Sequence, residues 1–262
     1  MANEIIQDIP FEEIKDVYAL RGKNKGCSVK LRGRVVLIAF LVNDGVSQWD
    51  KESETLFVEN LKQTSKQLMV ASNLSRADLD IAYAYCQVSV PYVVQKRNSS
   101  RFVTEVLRQF GDYQDIQEYQ RHYEEKFFRD EACVSFVFNK DFRSYAMEIS
   151  DGPISEAESP YGDEYSIVSF NPADPVSSQN TFIHELMHQF GAVDFYYPEV
   201  VKLKAEQQLP NSIMNGGTEI DAVTRYVIGW DSVPSAAAKQ FLRSISHISY
   251  EDYVGALREQ WE

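Results

Sequence analysis

Thr181-Phe182-Ile183-His184-Glu185-Leu186-Met187-His188-Gln189-Phe190-Gly191-Ala192-Val193-Asp194 decides how this chain is read. Its apolar residues at 182, 183, 186, 187 and 190 are those of a helix buried on most sides. Ser177 and Ser178, following Asp174-Pro175, supply the helix start. His184 and His188 stand four residues apart, so both imidazoles leave one face, one turn above the other. Neutral imidazole is a good ligand for Zn²⁺, at about 2.0–2.1 Å. Glu185, next to the first histidine, can serve a water on such an ion without binding the ion itself. Gly191 can take a left-handed backbone, stop the helix and turn the chain back, bringing Asp194 round as a third ligand. Three protein ligands leave the fourth tetrahedral position open for chemistry. The chain holds only four histidines in 262 residues, which makes a chance occurrence of this spacing rare.

Working upstream, residues 34–42 form a continuous β-branched and apolar run closed by Asn43-Asp44-Gly45, which predicts a strand buried on both faces. Leu56, Phe57, Leu61, Leu68 and Met69 recur at helical spacing after Ser53 and predict an amphipathic helix over 53–72. Further strands are expected over 81–90, 133–138, 145–149 and 165–170. One long helix, or two broken near Gly111-Asp112, is expected over 100–128. The order predicts a mixed α/β sheet in one domain. Asp151, Glu156, Glu158, Asp163 and Glu164 crowd one stretch with no base; it reads as a solvated loop, and its spacing does not support the alternative of calcium on an EF-hand. His122 and His247 lack paired spacing and read as ordinary surface or core residues.

Composition removes several function classes. With 26 basic and 39 acidic residues the net charge is −13, which argues against binding nucleic acid or anionic lipid. No apolar run approaches the roughly 18 residues of a membrane-spanning helix. Hydrophobic residues at 44% suffice for a full core. Cys27, Cys86 and Cys133 are odd in number and widely spaced, implying neither a disulfide framework nor a cysteine-rich metal site. The first eight residues lack the basic and apolar regions of a secretory signal, which leaves location open between the cytoplasm, another export route and a removed leader. A monomer is expected.

The pattern His184-Glu185-x-x-His188-x-x-Gly191-x-x-Asp194 resembles that of the metzincin zinc peptidases, in the form where aspartate replaces the third histidine. Snapalysin-like peptidases carry that form, and Asp194-Phe195-Tyr196 is similar to their Asp-x-Tyr continuation. Asn211-Ser212-Ile213-Met214-Asn215-Gly216-Gly217 resembles the Met-turn, and residues 219–226 resemble the helix after it. The resemblance implies a zincin-like mixed twisted sheet with an active-site helix and a small, mostly helical C-terminal subdomain. On that plan residues 1–30 are a lead-in, 31–191 the N-terminal subdomain with a helical insertion at 100–128, and 192–262 the C-terminal subdomain with Met214. It implies one catalytic Zn²⁺ held by His184, His188 and Asp194, with Glu185 as general base and peptide or protein as substrate. An extended peptide would lie along an edge strand at 144–150, with the S1′ wall at 214–223. A phenol for the oxyanion is sought among Tyr196, Tyr197 and Tyr226.

Two other readings compete. A gluzincin-type hydrolase would take its third ligand from a later helix, with Glu206 on 198–208 as candidate. A non-catalytic, zinc-stabilised binding protein would use the metal for folding energy alone. Glu185 speaks against the latter, since a structural site needs no base there.

Overall fold

The structure, a computed structural model, describes residues 28–95, 99–113, 115–147 and 165–249, with Phe11, 17–20, Lys23, Asp252, Tyr253, Gly255 and Ala256. Cys27, the acidic stretch from Asp151 to Glu164, most of the 1–30 lead-in and the predicted edge residues 148–150 lie outside the described residues.

Five strands, β1 (Gly33–Asn43), β2 (Leu79–Ser89), β3 (Glu131–Phe138), β4 (Tyr145–Met147) and β5 (Tyr165–Ser169), form one sheet in the order β2-β1-β3-β5-β4. All pairs are parallel except the antiparallel edge pair β4–β5. The apolar run of β1 is flanked on both sides, and residues 35–42 are all buried. Period-2 alternation divides that run between two cores. Val35, Leu37, Ala39 and Leu41 face a core shared with α1 (Lys51–Leu74) and α4 (Pro175–Gln189). Val36, Ile38, Phe40 and Val42 face the opposite one, covered by α2 (Ser99–Leu107) and α3 (Ile116–Phe127). The region expected as one helix or two is thus two, parted at 108–115.

The first core continues past α4 into α5 (Glu199–Gln208), α6 (Ala222–Val227) and α7 (Ala236–Ser244), through Val201, Val227, Phe241 and Leu242. The fold is therefore mixed α/β with a mostly parallel sheet and a helical C-terminal part. Among the described residues no helix is long and apolar enough to cross a membrane.

Two helix starts differ from expectation. Asp50, not Ser53, caps α1; Ser53 is the reciprocal partner in a capping box. Asp174 caps α4 with Pro175 behind it, so the helix begins before Ser177 and Ser178. The Ser178 hydroxyl is instead engaged with the backbone of Asn171.

At the head of β3 the Glu131 carboxylate accepts from the Val29 and Lys30 amides at 3.3–3.4 Å, fastening the approach to β1. Burial pushes its pKa up to about 7, against partial relief from those amides, and Glu124 and Asp130 add to the rise. The native carboxyl therefore holds its proton where the unfolded one, near 4.5, has lost it. Its contribution favours the native state at low pH and is lost as pH rises from about 4.5 to about 7. Glu131→Gln is expected to stabilise the chain at pH 8 by about 1 kcal/mol after solvent screening, and by nearly nothing at pH 4.5. Urea unfolding of both proteins at the two pH values checks this.

Candidate metal centre

Helix α4 is fixed to the rest of the molecule at both ends. Asn60 on α1 donates to the Pro175 carbonyl at 2.6 Å. Near the other end, buried Gln189 donates to the Val134 carbonyl and the Ser166 hydroxyl, each at 3.2 Å. Ser135 and Ser166 share a further hydrogen bond of 2.8 Å beneath it. These buried hydrogen bonds set the helix in one register on the sheet.

After Gln189 the chain reverses. Gly191 has φ +86°, and its amide donates to the His188 carbonyl at 2.8 Å while the Ala192 amide donates to Met187. This is the left-handed turn that a glycine takes without strain. It carries Asp194 back against the helix, where one carboxylate oxygen, Oδ1, lies 3.1 Å from His184 Nε2 and 3.3 Å from His188 Nε2. The two Nε2 atoms are 3.2 Å apart. His184, His188 and Asp194 are thus brought together.

Each imidazole is oriented through its other nitrogen. His184 Nδ1 donates to the Ile213 carbonyl at 2.8 Å, and His188 Nδ1 to the Ala192 carbonyl at 2.7 Å. Carbonyls only accept, so in each neutral ring the proton is on Nδ1 and the lone pair on Nε2. The two lone pairs and Asp194 Oδ1 are then three acceptors within 3.3 Å of one another with no proton between them. A cation satisfies all three at once. Ligands about 2.0–2.1 Å from a tetrahedral zinc stand about 3.3–3.4 Å apart, within a few tenths of an ångström of the spacing here, so the donor set fits the ion. Without metal, a proton partly serves. Burial pulls the His184 pKa down, but the hydrogen bond and charge of Asp194 outweigh it and the net shift is upward. Burial likewise pushes Asp194 up, while both histidines hold it well below the usual carboxylate range.

Glu185 is 5% exposed. A carboxylate oxygen of Glu185 and one ring nitrogen of each histidine lie within 4.8 Å of one another. Glu206, the alternative third ligand, is exposed on α5 one residue from buried Ala205.

Beneath the histidines runs the turn at 211–217, with a 3-10 segment Ile213–Asn215 and Met214 fully buried. Its Ile213 carbonyl takes His184, and its Met214 carbonyl accepts from the Phe195 amide at 2.8 Å, tying the turn to the Asp194 loop. Gly216 has φ +77°, and a Cβ at Gly217 would come within 2.2 Å of the Asn211 carbonyl oxygen, so the close chain approach requires glycine there. Asp221 accepts from Ser212 as well as from the Val223 and Thr224 amides, joining the turn to the start of α6.

Of the three tyrosines considered, Tyr196 lies at the centre, its ring stacked on His184 with centroids 6.2 Å apart and planes at 14°. Burial, above all, and the charge of the Asp194 carboxylate push its pKa up. Tyr197 packs on Tyr196, and Tyr226 lies on α6 under Lys23. A cavity of about 360 Å³ opens beside the centre, lined among others by Arg143, Ser144, Thr181, Glu185 and Tyr196. Arg143 was not among the residues singled out from sequence.

Several solved structures resemble the chain, among them these two. One is an archaemetzincin from Methanopyrus kandleri, 12% identical, with a TM-score of 0.37 over 82% of this chain and 95% of that one. The other is metalloproteinase-II from Bacteroides fragilis, 10% identical, with a TM-score of 0.43 over 83% of this chain and 59% of that one. No family model matches the chain, and no curated protein matches it.

Proposed function

We propose that the chain is a zinc-dependent metalloendopeptidase whose ion is held by His184, His188 and Asp194. The observation that carries this reading is the triangle of three acceptor atoms at 3.1–3.3 Å, each imidazole pre-set by a backbone carbonyl. Such outer partners fix the tautomer and ring orientation of metal-binding histidines. When bound, zinc supplies a Lewis acid that polarises the scissile carbonyl and makes a water acidic near neutral pH. Glu185 accepts the proton of the attacking water and returns it to the leaving amine. The Tyr196 phenol, beside Asp194 and over His184, donates to the oxygen on which negative charge develops. A substrate peptide pairs with the exposed edge of β4 as an added strand, and the 214–223 segment walls the pocket beyond the scissile bond. The −13 charge favours neutral or basic peptides.

Elemental mass spectrometry on protein purified without chelator is expected to find close to one zinc per chain. Hydrolysis of a peptide library should stop with 1,10-phenanthroline and return with added zinc. A chain that stays zinc-free after reloading and dialysis would overturn the proposal.

A further inference from the structure

Three stretches of chain that leave the carboxyl ends of parallel strands meet at one buried carboxylate. Asp44 follows β1, and its Oδ1 accepts from the Val46 and Ser47 amides, each at 2.7 Å. Its Oδ2 accepts from the Val94 amide, beyond β2, at 2.9 Å and from Lys140 Nζ, beyond β3, at 2.7 Å. The Asp44 side chain is fully buried, and that of Lys140 is 14% exposed. The Lys140 ammonium also lies over the Phe138 ring, 4.7 Å from its centroid. Beside it the Asn139 amide donates to the Ser47 hydroxyl at 2.9 Å, and the Asn139 side chain to the Gln48 carbonyl at 2.8 Å. From β5, the Ser169 hydroxyl donates to the Lys140 carbonyl at 2.7 Å and the Ser169 amide to the Ser144 hydroxyl at 2.9 Å.

Strand β4 depends on this anchorage. It is three residues long and pairs with β5 through Tyr145, Ala146 and Met147 alone, well short of the usual strand of about 5–6 residues. Its place is therefore set by the loop that leads into it. The same loop gives Phe142, Arg143 and Ser144 to the lining of the cavity beside the metal centre, which Thr181 and Glu185 on α4 help complete. A buried ion pair adds little net stability, because desolvation offsets much of the attraction; its best-attested use is to select one arrangement of the chain.

We propose that Lys140, through its ion pair with Asp44, is a positioning residue for the substrate. It holds the β3–β4 loop, and with it edge strand β4, at the distance from α4 that an extended peptide requires. The inference rests on the peptidase reading. It requires no contact between Lys140 or Asp44 and the reacting atoms.

The test compares wild type with Lys140→Met, Lys140→Arg and Asp44→Asn, all zinc-loaded. The substrate is a peptide of about ten residues, long enough to pair with the whole of β4. Acetohydroxamate, a small zinc ligand that reaches only the metal centre, is the control inhibitor. Lys140→Met keeps the apolar stem and should raise KM by about 10-fold with kcat changed less than about twofold. Inhibition by acetohydroxamate and zinc content should hold. Lys140→Arg keeps the charge and should restore most of the KM. Hydrogen exchange should quicken at the amides of residues 139–147 and stay unchanged at 183–189 on α4. Asp44→Asn keeps an acceptor for the Val46 and Ser47 amides and lets Lys140 turn to water; it should show the same pattern, and it decides the matter if Lys140→Met does not fold. A fall in kcat at constant KM, an equal weakening of acetohydroxamate, or unchanged exchange at 139–147 would overturn the positioning role and leave the peptidase reading standing. A wild-type chain that binds zinc and hydrolyses no peptide overturns both.

Discussion

Glu185→Gln is expected to slow peptide hydrolysis by about 10³-fold while leaving zinc content unchanged. Glutamine keeps the shape of the carboxylate and most of its hydrogen-bonding capacity, but it cannot take up a proton. The position is 5% exposed on α4, so a larger or smaller replacement would disturb packing and confuse the result; the amide does not. With His184, His188 and Asp194 as the proposed ligands, 3.1–3.3 Å apart, removing the Glu185 charge is expected to leave the ligand set whole. It also removes one buried negative charge near Asp194, so stability should hold or rise slightly. The measurements are kcat and KM on a quenched-fluorescence peptide, with elemental analysis of the same sample. Undiminished turnover would sink the general-base role. Loss of zinc together with turnover would move Glu185 into the ligand set and displace Asp194 from it.

What the sequence discloses about this centre follows from distance along the chain. His184, Glu185 and His188 fall within two turns of one helix, and Gly191 and Asp194 follow within six residues, so helix periodicity and one glycine turn bring them together. The unbroken apolar run of β1 is legible for a similar reason: its residues feed two cores by simple alternation. Helix starts were read less well, because Ser, Thr and Asp compete for the same cap. The choice of Asp174 over Ser177 is settled by Pro175 at the first helical position and by Asn171, which draws Ser178 away. Arg143 lies 54 residues before the Tyr197 hydroxyl it holds, on a loop without periodicity. Nothing local marks it; only the sheet, by bringing the β3–β4 loop beside the end of α4, gives it that partner. The carbonyls of Ile213 and Ala192 are likewise invisible in a string of side chains, although they set both imidazoles.

The third ligand is the assignment on which the two hydrolase readings part. Asp194→Ala is expected to weaken zinc binding by more than about 10²-fold, beyond the usual cost of losing a supporting partner. Glu206→Ala should leave it within about twofold, as befits a surface change. The asymmetry follows from position. Asp194 is 9% exposed and its Oδ1 lies within 3.3 Å of both Nε2 atoms, whereas Glu206 faces solvent from α5. Removing the carboxylate leaves two imidazoles and takes away the only anion of the triangle, so the site loses charge as well as denticity. Metal-free stability should also change, because the Asp194 charge favours protonation of His184 and is itself favoured by both rings. Zinc affinity measured by competition with a chromophoric chelator, beside urea unfolding of the metal-free proteins, separates these effects. Retention of tight zinc by Asp194→Ala, with loss in Glu206→Ala, would transfer the third ligand to α5 and require that helix to move towards the histidines on binding. Loss in Asp194→Ala alone, with Glu185→Gln still loaded, leaves two histidines and one aspartate as the full protein ligand set and a fourth position open to water and substrate.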